Sequence, residues 1–322
     1  MVLLLKEPDV DALLDMNATV ACLEAAFREQ SEGRMILPER QVIQTSTVVR
    51  IMAASAEQIK AIGLKALLGT PAKRKPHATY FVTLLFDPED AHLLAVISAG
   101  RLTQLRTGGA SAVATRYLAR PRTTTLGVVG AGVQGFGQLE GIASVCKLKS
   151  GFVFDLDESR AKNLVEKAKT KFGIELRHTS RIEDLYEADV LCTATTSLKP
   201  LLFGHLLRPG THVNAVGSNA PNRQELDEST LLRAKVFLDH KEQALKESGD
   251  LMIPIRHGSY KPQNIAGEIC DVITGKVNGR TSDTDVTLFK SVGFALEDIA
   301  VARTTYDLAI SRGIGIELDF QS

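Results

Sequence analysis

An apolar run, Leu126-Gly127-Val128-Val129, ends in Gly130-x-Gly132-x-x-Gly135, and a helix-compatible segment, 133–146, follows. Strand, tight glycine turn and helix, in that order, suit a bound pyrophosphate. The first glycine permits the turn, the second lets a phosphate approach the backbone, and the third lets helix and strand pack closely. The helix N-terminus then offers unpaired N–H groups and a partial positive charge. A second apolar run, 151–154, ends in Asp155, about twenty residues past the last glycine, the usual separation for a carboxylate that accepts hydrogen bonds from an adenosine ribose. A carboxylate there repels a 2′-phosphate, which favours NAD(H). One acid sets only a preference, so NADP(H) stays open. Asp157 shares that face if the strand continues.

A second set of chemically capable residues lies where the pattern prefers apolar ones. Arg50 interrupts the run 48–52, Lys65 the run 62–68, and Arg106 opens Arg106-Thr107-Gly108-Gly109-Ala110 before an alanine-rich stretch. Any one of these can be an outward residue on a half-solvated strand, since strands alternate faces. Together they can form a pocket for a carboxylate. Arginine presents a planar fork suited to carboxylate or phosphate, and a buried lysine with lowered pKa can donate a proton. Arg106-Thr107 at a helix start can instead meet the cofactor pyrophosphate.

The elements that must position these groups fall into two patterns. Residues 1–33 read as a short strand and then helices, and 41–97 as β-rich runs at 48–52, 62–67, 79–86 and 93–97, separated by turns such as Asp87-Pro88-Glu89-Asp90. This predicts a mixed α+β domain. A long helix is expected over 101–119, then a break at Ala119-Arg120-Pro121-Arg122. After the glycine turn, strand and helix signals alternate, with strands at 189–193, 211–216 and 234–238, as in an α/β doubly wound parallel sheet. Ligands bind beyond the carboxyl ends of such strands, which directs attention to Thr195 in 194–197 and to Ser218 and Asn219 in 217–221. Helices are expected over 268–274 and 293–311, and a strand over 286–289.

The chain has 322 residues, enough for two domains, and is 44% hydrophobic. Lys+Arg and Asp+Glu both total 38, so no bulk charge argues for nucleic acid or an anionic membrane as partner. No apolar run approaches a membrane span, and the N-terminus is too short and too soon acidic for a secretory signal. Four scattered cysteines and no metal-ligand spacing among the histidines predict no metal, no disulfide framework and a cytoplasmic location.

The segments Ile62-Gly63-Leu64-Lys65, Leu105-Arg106-Thr107-Gly108-Gly109-Ala110, Gly130-Ala131-Gly132-Val133-Gln134, Pro209-Gly210-Thr211-His212-Val213-Asn214-Ala215-Val216-Gly217, Gln224-Glu225-Leu226-Asp227 and Phe289-Lys290-Ser291-Val292-Gly293, the last running on to Glu297-Asp298, occur together and in order. With them the chain resembles the ornithine cyclodeaminase/mu-crystallin family, nearly end to end. The resemblance implies a homodimer, with a substrate-binding and dimerisation domain made of 1–118 plus 300–322 and a Rossmann dinucleotide-binding domain at 119–299. It implies hydride exchange between a nicotinamide dinucleotide and an amino- or imino-acid α-carbon. By position, Arg50, Lys65 and Arg106 resemble the substrate-carboxylate and catalytic cluster, and Thr79 a residue lining nicotinamide or substrate. Gly130, Gly132, Val133, Gln134 and Asp155 resemble the dinucleotide site.

Three departures from the family pattern matter. Asn219 stands near the place of an Asp that cyclodeaminases and archaeal alanine dehydrogenases carry. An Asn can orient a substrate amine but cannot act as a base at neutral pH, so the change disfavours ornithine cyclisation. Met52-Ala53-Ala54 replaces a frequent Met-Pro segment, and Pro71-Ala72-Lys73-Arg74-Lys75-Pro76 is unusually basic, reading as a solvated loop or a lure for an anionic substrate. The expected activity is NAD(P)H-dependent reduction of a small cyclic ketimine carboxylate, with Lys65, Arg50 and Asn219 at the reaction centre. Reductive amination of pyruvate, ornithine cyclodeamination and a non-catalytic, crystallin-like binding role are the alternatives.

Overall fold

Residues 125–129 form the strand Thr125–Val129, buried along nearly its whole length. Leu126 and Val128 join one hydrophobic cluster with Val153, Leu176, Val190 and Cys192. Val129 joins another with Leu191, Val213, Ala215, Val236 and Leu288. Alternate residues therefore enter separate cores on the two faces, as a parallel sheet covered on both sides requires. The computed structural model describes residues 1–70 and 79–320; the basic run 71–76 lies outside them.

The chain divides into two compact units, Met1–Arg106 with Phe294–Ser322, and Thr107–Gly293. The changeovers come earlier than positions 119 and 300, the first of them inside the helix Gly100–Leu118. In the second unit eight parallel strands lie in the order Glu175–His178, Ser150–Phe154, Thr125–Val129, Val190–Thr193, His212–Ala215, Thr287–Lys290, Lys235–Leu238, Ile265–Glu268. Sequence order reverses between Thr125–Val129 and Val190–Thr193, the switch point at which such sheets open a crevice. The helix Glu158–Phe172 is fixed locally at both ends. Asp157 caps its first turn by accepting from the N–H groups of Ser159 and Arg160, and Gly173 closes it at φ 67°. The helix expected over 268–274 is present as Ile269–Ile273, with Glu268, the last residue of the strand Ile265–Glu268, at its N-cap and Thr274 at its C-cap.

The first unit holds a mixed sheet ordered Ile316–Leu318, Val2–Leu5, Leu93–Ser98, Thr79–Phe86, Ala61–Gly69, Val48–Ala56, Met35–Ile36, with Gln41–Gln44 also paired to Val48–Ala56. Met52 stands opposite Lys65, and Lys65 opposite Thr83; Arg50 stands opposite Leu67. Directly opposed residues share a face, and so do residues two apart. Arg50, Lys65 and Thr83 therefore project from one face. The helix Ala295–Arg312 covers that face: a Cβ on Gly63, two residues from Lys65, would lie 3.4 Å from Ile299. Among the described residues no helix is long and apolar enough to cross a membrane.

Candidate functional site

The three glycines of the fingerprint do separate work. Gly130 has φ 94°, and a Cβ there would lie 2.6 Å from the Ala194 carbonyl oxygen. A Cβ on Gly135 would lie 1.9 Å from the Gly130 carbonyl oxygen, so only glycine lets helix and turn close up. A Cβ on Gly132 would meet nothing within 4 Å. That open space belongs to a cleft of about 670 Å³ lined by Gly130, Gly132, Val133, Gln134, Asp155, Thr195 and their neighbours. Gln134 brings a buried Oε1 with no hydrogen-bond partner, and Val133 is 68% exposed. A bare backbone approach and a helix N-terminus at one cleft fit a dinucleotide pyrophosphate.

Asp155 lies just past the strand Ser150–Phe154, in the cleft, where its carboxylate accepts from the N–H groups of Ala131 (2.6 Å) and Asp157 (2.8 Å). It therefore also fastens the glycine turn. The strand does not continue to Asp157, whose carboxylate is committed to capping the next helix. Its acidity is raised by the hydrogen bond from Ser159.

Thr195 faces this cleft from the neighbouring strand end, with its hydroxyl donated to Glu225 at 2.8 Å. Ser218 is buried, and its hydroxyl donates to the Arg223 carbonyl at 2.6 Å, so it is spent on holding its own loop. Asn219 is exposed, and its side-chain oxygen accepts from Arg223 at 3.0 Å. The residue behind these loops is Glu225, fully buried, to which the sequence pattern assigns no role. Burial, with Asp250 nearby, pushes its proton affinity up, while Lys290 opposes.

In the first unit, Lys65 is 1% exposed and its ammonium lies 2.6 Å from Asp298 Oδ1. Arg106 reaches the same oxygen with Nε at 3.0 Å and Glu297 Oε2 with a terminal nitrogen at 2.7 Å. Two cations and two anions thus interlock in the interior. Burial lowers the Lys65 pKa to about 8, with Asp298 opposing and Arg106 and Arg40 assisting. Such a lysine can give up a proton near neutral pH. Arg50, half-buried on the same sheet face, makes no hydrogen bond or ion pair among the described residues. If all are charged, Lys65, Arg106 and Arg50 outnumber Asp298 and Glu297, and Arg40 adds to the excess, so the cluster is net positive and suits a substrate carboxylate.

Two expectations need correction. Arg106-Thr107 is not at a helix start: the helix begins at Gly100, and Glu7 occupies its N-terminus by accepting from Gly100 N (2.8 Å) and Arg101 N (2.7 Å). Thr79 begins its strand opposite Gly69, four residues from the partner of Lys65, roughly 13 Å along the strand. The threonine facing Lys65 is Thr83, whose buried hydroxyl has no hydrogen-bond partner among the described residues. Asp298 and Glu297 stand in the sequence as family-like residues, two adjacent acids between the apolar Ala295-Leu296 and Ile299-Ala300; that clash of charge with pattern is the signal for burial.

The chain belongs to the ornithine cyclodeaminase/mu-crystallin family, whose model matches residues 2–313. It is 35% identical over 315 residues to a Delta(1)-pyrroline-2-carboxylate reductase of Bacillus cereus, covering 96% of this chain and 97% of that one. The structure of Thermococcus litoralis Delta(1)-pyrroline-2-carboxylate reductase in complex with NADH and L-proline matches with a TM-score of 0.94 at 34% identity, over 98% of this chain and 100% of that one. An archaeal alanine dehydrogenase dimer with bound NAD matches with a TM-score of 0.93 at 32% identity, over 99% of each chain.

Proposed function

We propose that this protein is a cytoplasmic, homodimeric oxidoreductase that reduces a small cyclic ketimine carboxylate, Δ1-pyrroline-2-carboxylate or its six-membered homologue, to the L-amino acid with NADH. In this reading the first unit binds substrate and forms the dimer, and the second binds the dinucleotide. The observation that carries it is the full-length likeness to Delta(1)-pyrroline-2-carboxylate reductases, including one in complex with NADH and L-proline. The dimeric alanine dehydrogenase neighbour supports the assembly.

The glycine turn and Asp155 would hold the dinucleotide, which would supply the hydride when bound. Arg50 holds the substrate carboxylate with its uncommitted fork. Lys65 gives a proton to the imine nitrogen as the carbon is reduced. Arg106, neutralised by Glu297 and Asp298, serves as scaffold for Lys65 rather than as the carboxylate clamp. Fixed charges in a dry interior lower the barrier without rearranging. Asp155 accepts from the ribose hydroxyls and sets the preference for NADH over NADPH.

The comparable likeness to alanine dehydrogenase favours a second reading, reductive amination of pyruvate. The test is loss of reduced-nicotinamide absorbance with the cyclic ketimine and NADH or NADPH, without ammonium. Rapid NADH oxidation supports the proposal. Turnover only with pyruvate and ammonium would replace it by the second reading, and a marked NADPH preference would overturn the role of Asp155.

A further inference from the structure

We propose that Asp298 is a positioning residue for the reduction: its carboxylate fixes the direction of the Lys65 ammonium and keeps the proton on it until the imine is present. The inference rests on the ketimine-reductase reading for its catalytic half and on geometry for the rest.

Lys65 projects from the middle of a sheet, where it is flanked across the strands by Met52 and Thr83, neither of which ionises near neutral pH. The Phe81 ring centroid lies 6.0 Å from Nζ. From the helix Gly100–Leu118 it meets the cation Arg106, and Arg40 adds a further positive influence. From the helix Ala295–Arg312 it meets Asp298, with Glu297 one residue away and engaged with Arg106. Among the described residues, Asp298 is therefore the anion in direct contact with the ammonium. Remove that charge and Lys65 sits dry between cations, where burial and repulsion both favour the neutral amine.

The geometry also separates orientation from simple neutralisation. Asp298 Oδ1 is shared between Lys65 and Arg106, whereas Oδ2 is buried with no hydrogen-bond partner among the described residues. Arg106 is held on its other side by Glu297. The rigid guanidinium thus pins the carboxylate, and the carboxylate pins the flexible lysine. In the reaction the C=N carbon takes a hydride from the reduced dinucleotide, and its nitrogen takes a proton from Lys65. The products are the amino acid, the oxidised dinucleotide and a neutral lysine, which regains its proton from water. A lysine that had lost its proton beforehand could not take this part.

The test uses full-length protein labelled with 13C at the lysine ε-carbon, with the Lys65 resonance assigned by its absence in Lys65→Arg. Its pH titration is followed in wild type and in Asp298→Asn, alongside the pH profile of kcat and the KM for NADH. The expected result is a Lys65 midpoint lowered by about one pH unit or more in Asp298→Asn, a tenfold loss of proton affinity. The descending limb of kcat should move to lower pH by the same amount, with KM for NADH unchanged. An unmoved midpoint overturns the proposal. Asp298→Glu is the second arm, should loss of charge unfold the protein. It should hold the midpoint near the wild-type value and lower kcat by displacing the ammonium; full kcat in this variant overturns the positioning role. Absence of ketimine turnover in wild type refutes the proposed activity instead, and the 13C titration still reads the Asp298–Lys65 linkage.

Discussion

Glu225 holds Thr195 twice: Oε1 accepts from its backbone N–H at 2.7 Å and from its hydroxyl at 2.8 Å. Oε2 accepts from Gly217 N at 2.8 Å, Ser218 N at 3.2 Å and the Thr193 hydroxyl at 2.9 Å. The loops that follow two parallel strands are thus tied to one buried anion. Asp250 in turn accepts from the N–H groups of Glu225 and Leu226, and Lys290 lies 3.3 Å from its other oxygen. A Cβ on Gly217 would fall 2.3 Å from Glu225 Oε1, so the carboxylate and this glycine require each other.

Glu225→Gln keeps the shape but turns an amide NH2 toward backbone N–H groups, which only donate. We expect about 2–4 kcal/mol of lost stability in chemical denaturation, from a broken buried network. We also expect roughly tenfold weaker NADH binding by titration calorimetry, because Thr195 lines the cleft. Unchanged affinity in a protein of reduced stability would confine Glu225 to the core.

The pH dependence of Lys65 should act on activity and stability in opposite senses. Burial lowers its folded pKa to about 8 from an ordinary 10.5. Between those values the unfolded chain binds a proton that the folded chain does not, so this residue's contribution to stability rises with pH across the window. Below about pH 8 both states hold the proton, and the cost of the buried charge is fully present. Activity that needs the ammonium falls across the same window. Lys65→Met should lower kcat by about 10²–10⁴-fold and flatten this window in pH-dependent unfolding. Full turnover in that variant would remove Lys65 from the mechanism.

Arg50 and Arg106 were equivalent in the sequence and are not equivalent in the fold. Arg50→Ala should raise the KM for the carboxylate substrate by about 10²-fold, the scale of a lost charge-assisted contact, and barely move the melting temperature. Arg106→Met strips Glu297 of its Arg106 ion pair and leaves Asp298 to Lys65, and should cost about 3–5 kcal/mol in unfolding experiments. The reverse pattern would restore Arg106 as the carboxylate clamp.

What could be read beforehand was whatever depends on local chemistry. The glycine turn, the helix Val133–Val145 and the acid at Asp155 each follow from neighbours in sequence, and the structure has them there. Lys65 was legible as an anomaly, a charge in an apolar strand. Its partner was not, because Asp298 lies 233 residues away and no local rule links a strand to a helix at that distance. Thr83, the threonine that faces Lys65, is hidden from the sequence for a similar reason. Which threonine faces the lysine is fixed by strand register, and slipping a register changes every cross-strand pair. At Asp157 a cap and a continuing strand compete for the same residue, and the cap prevails, although Asp157 still lines the cleft beside Asp155.

Gly132 and Gly135 separate binding from folding within one turn. Gly132 sits at the helix N-cap with φ −78° and ψ −163°, a conformation alanine adopts freely, and a Cβ there points into open space. Gly132→Ala should therefore cost only about 0.5–1 kcal/mol, the preference of a cap for glycine over alanine. The added methyl would stand where a phosphate must approach the backbone, so NADH affinity should fall by about 10²-fold or more. Gly135→Ala places a methyl 1.9 Å from the Gly130 carbonyl oxygen, a backbone atom that cannot yield without opening the turn. It should cost about 1–3 kcal/mol or more in thermal unfolding, and whatever folds should bind NADH poorly because the turn has moved. Measuring melting temperature and NADH affinity side by side on the two variants checks both. If Gly132→Ala binds NADH like wild type, the pyrophosphate does not rest on this turn, and the cleft beside Asp155 would have to take some other ligand.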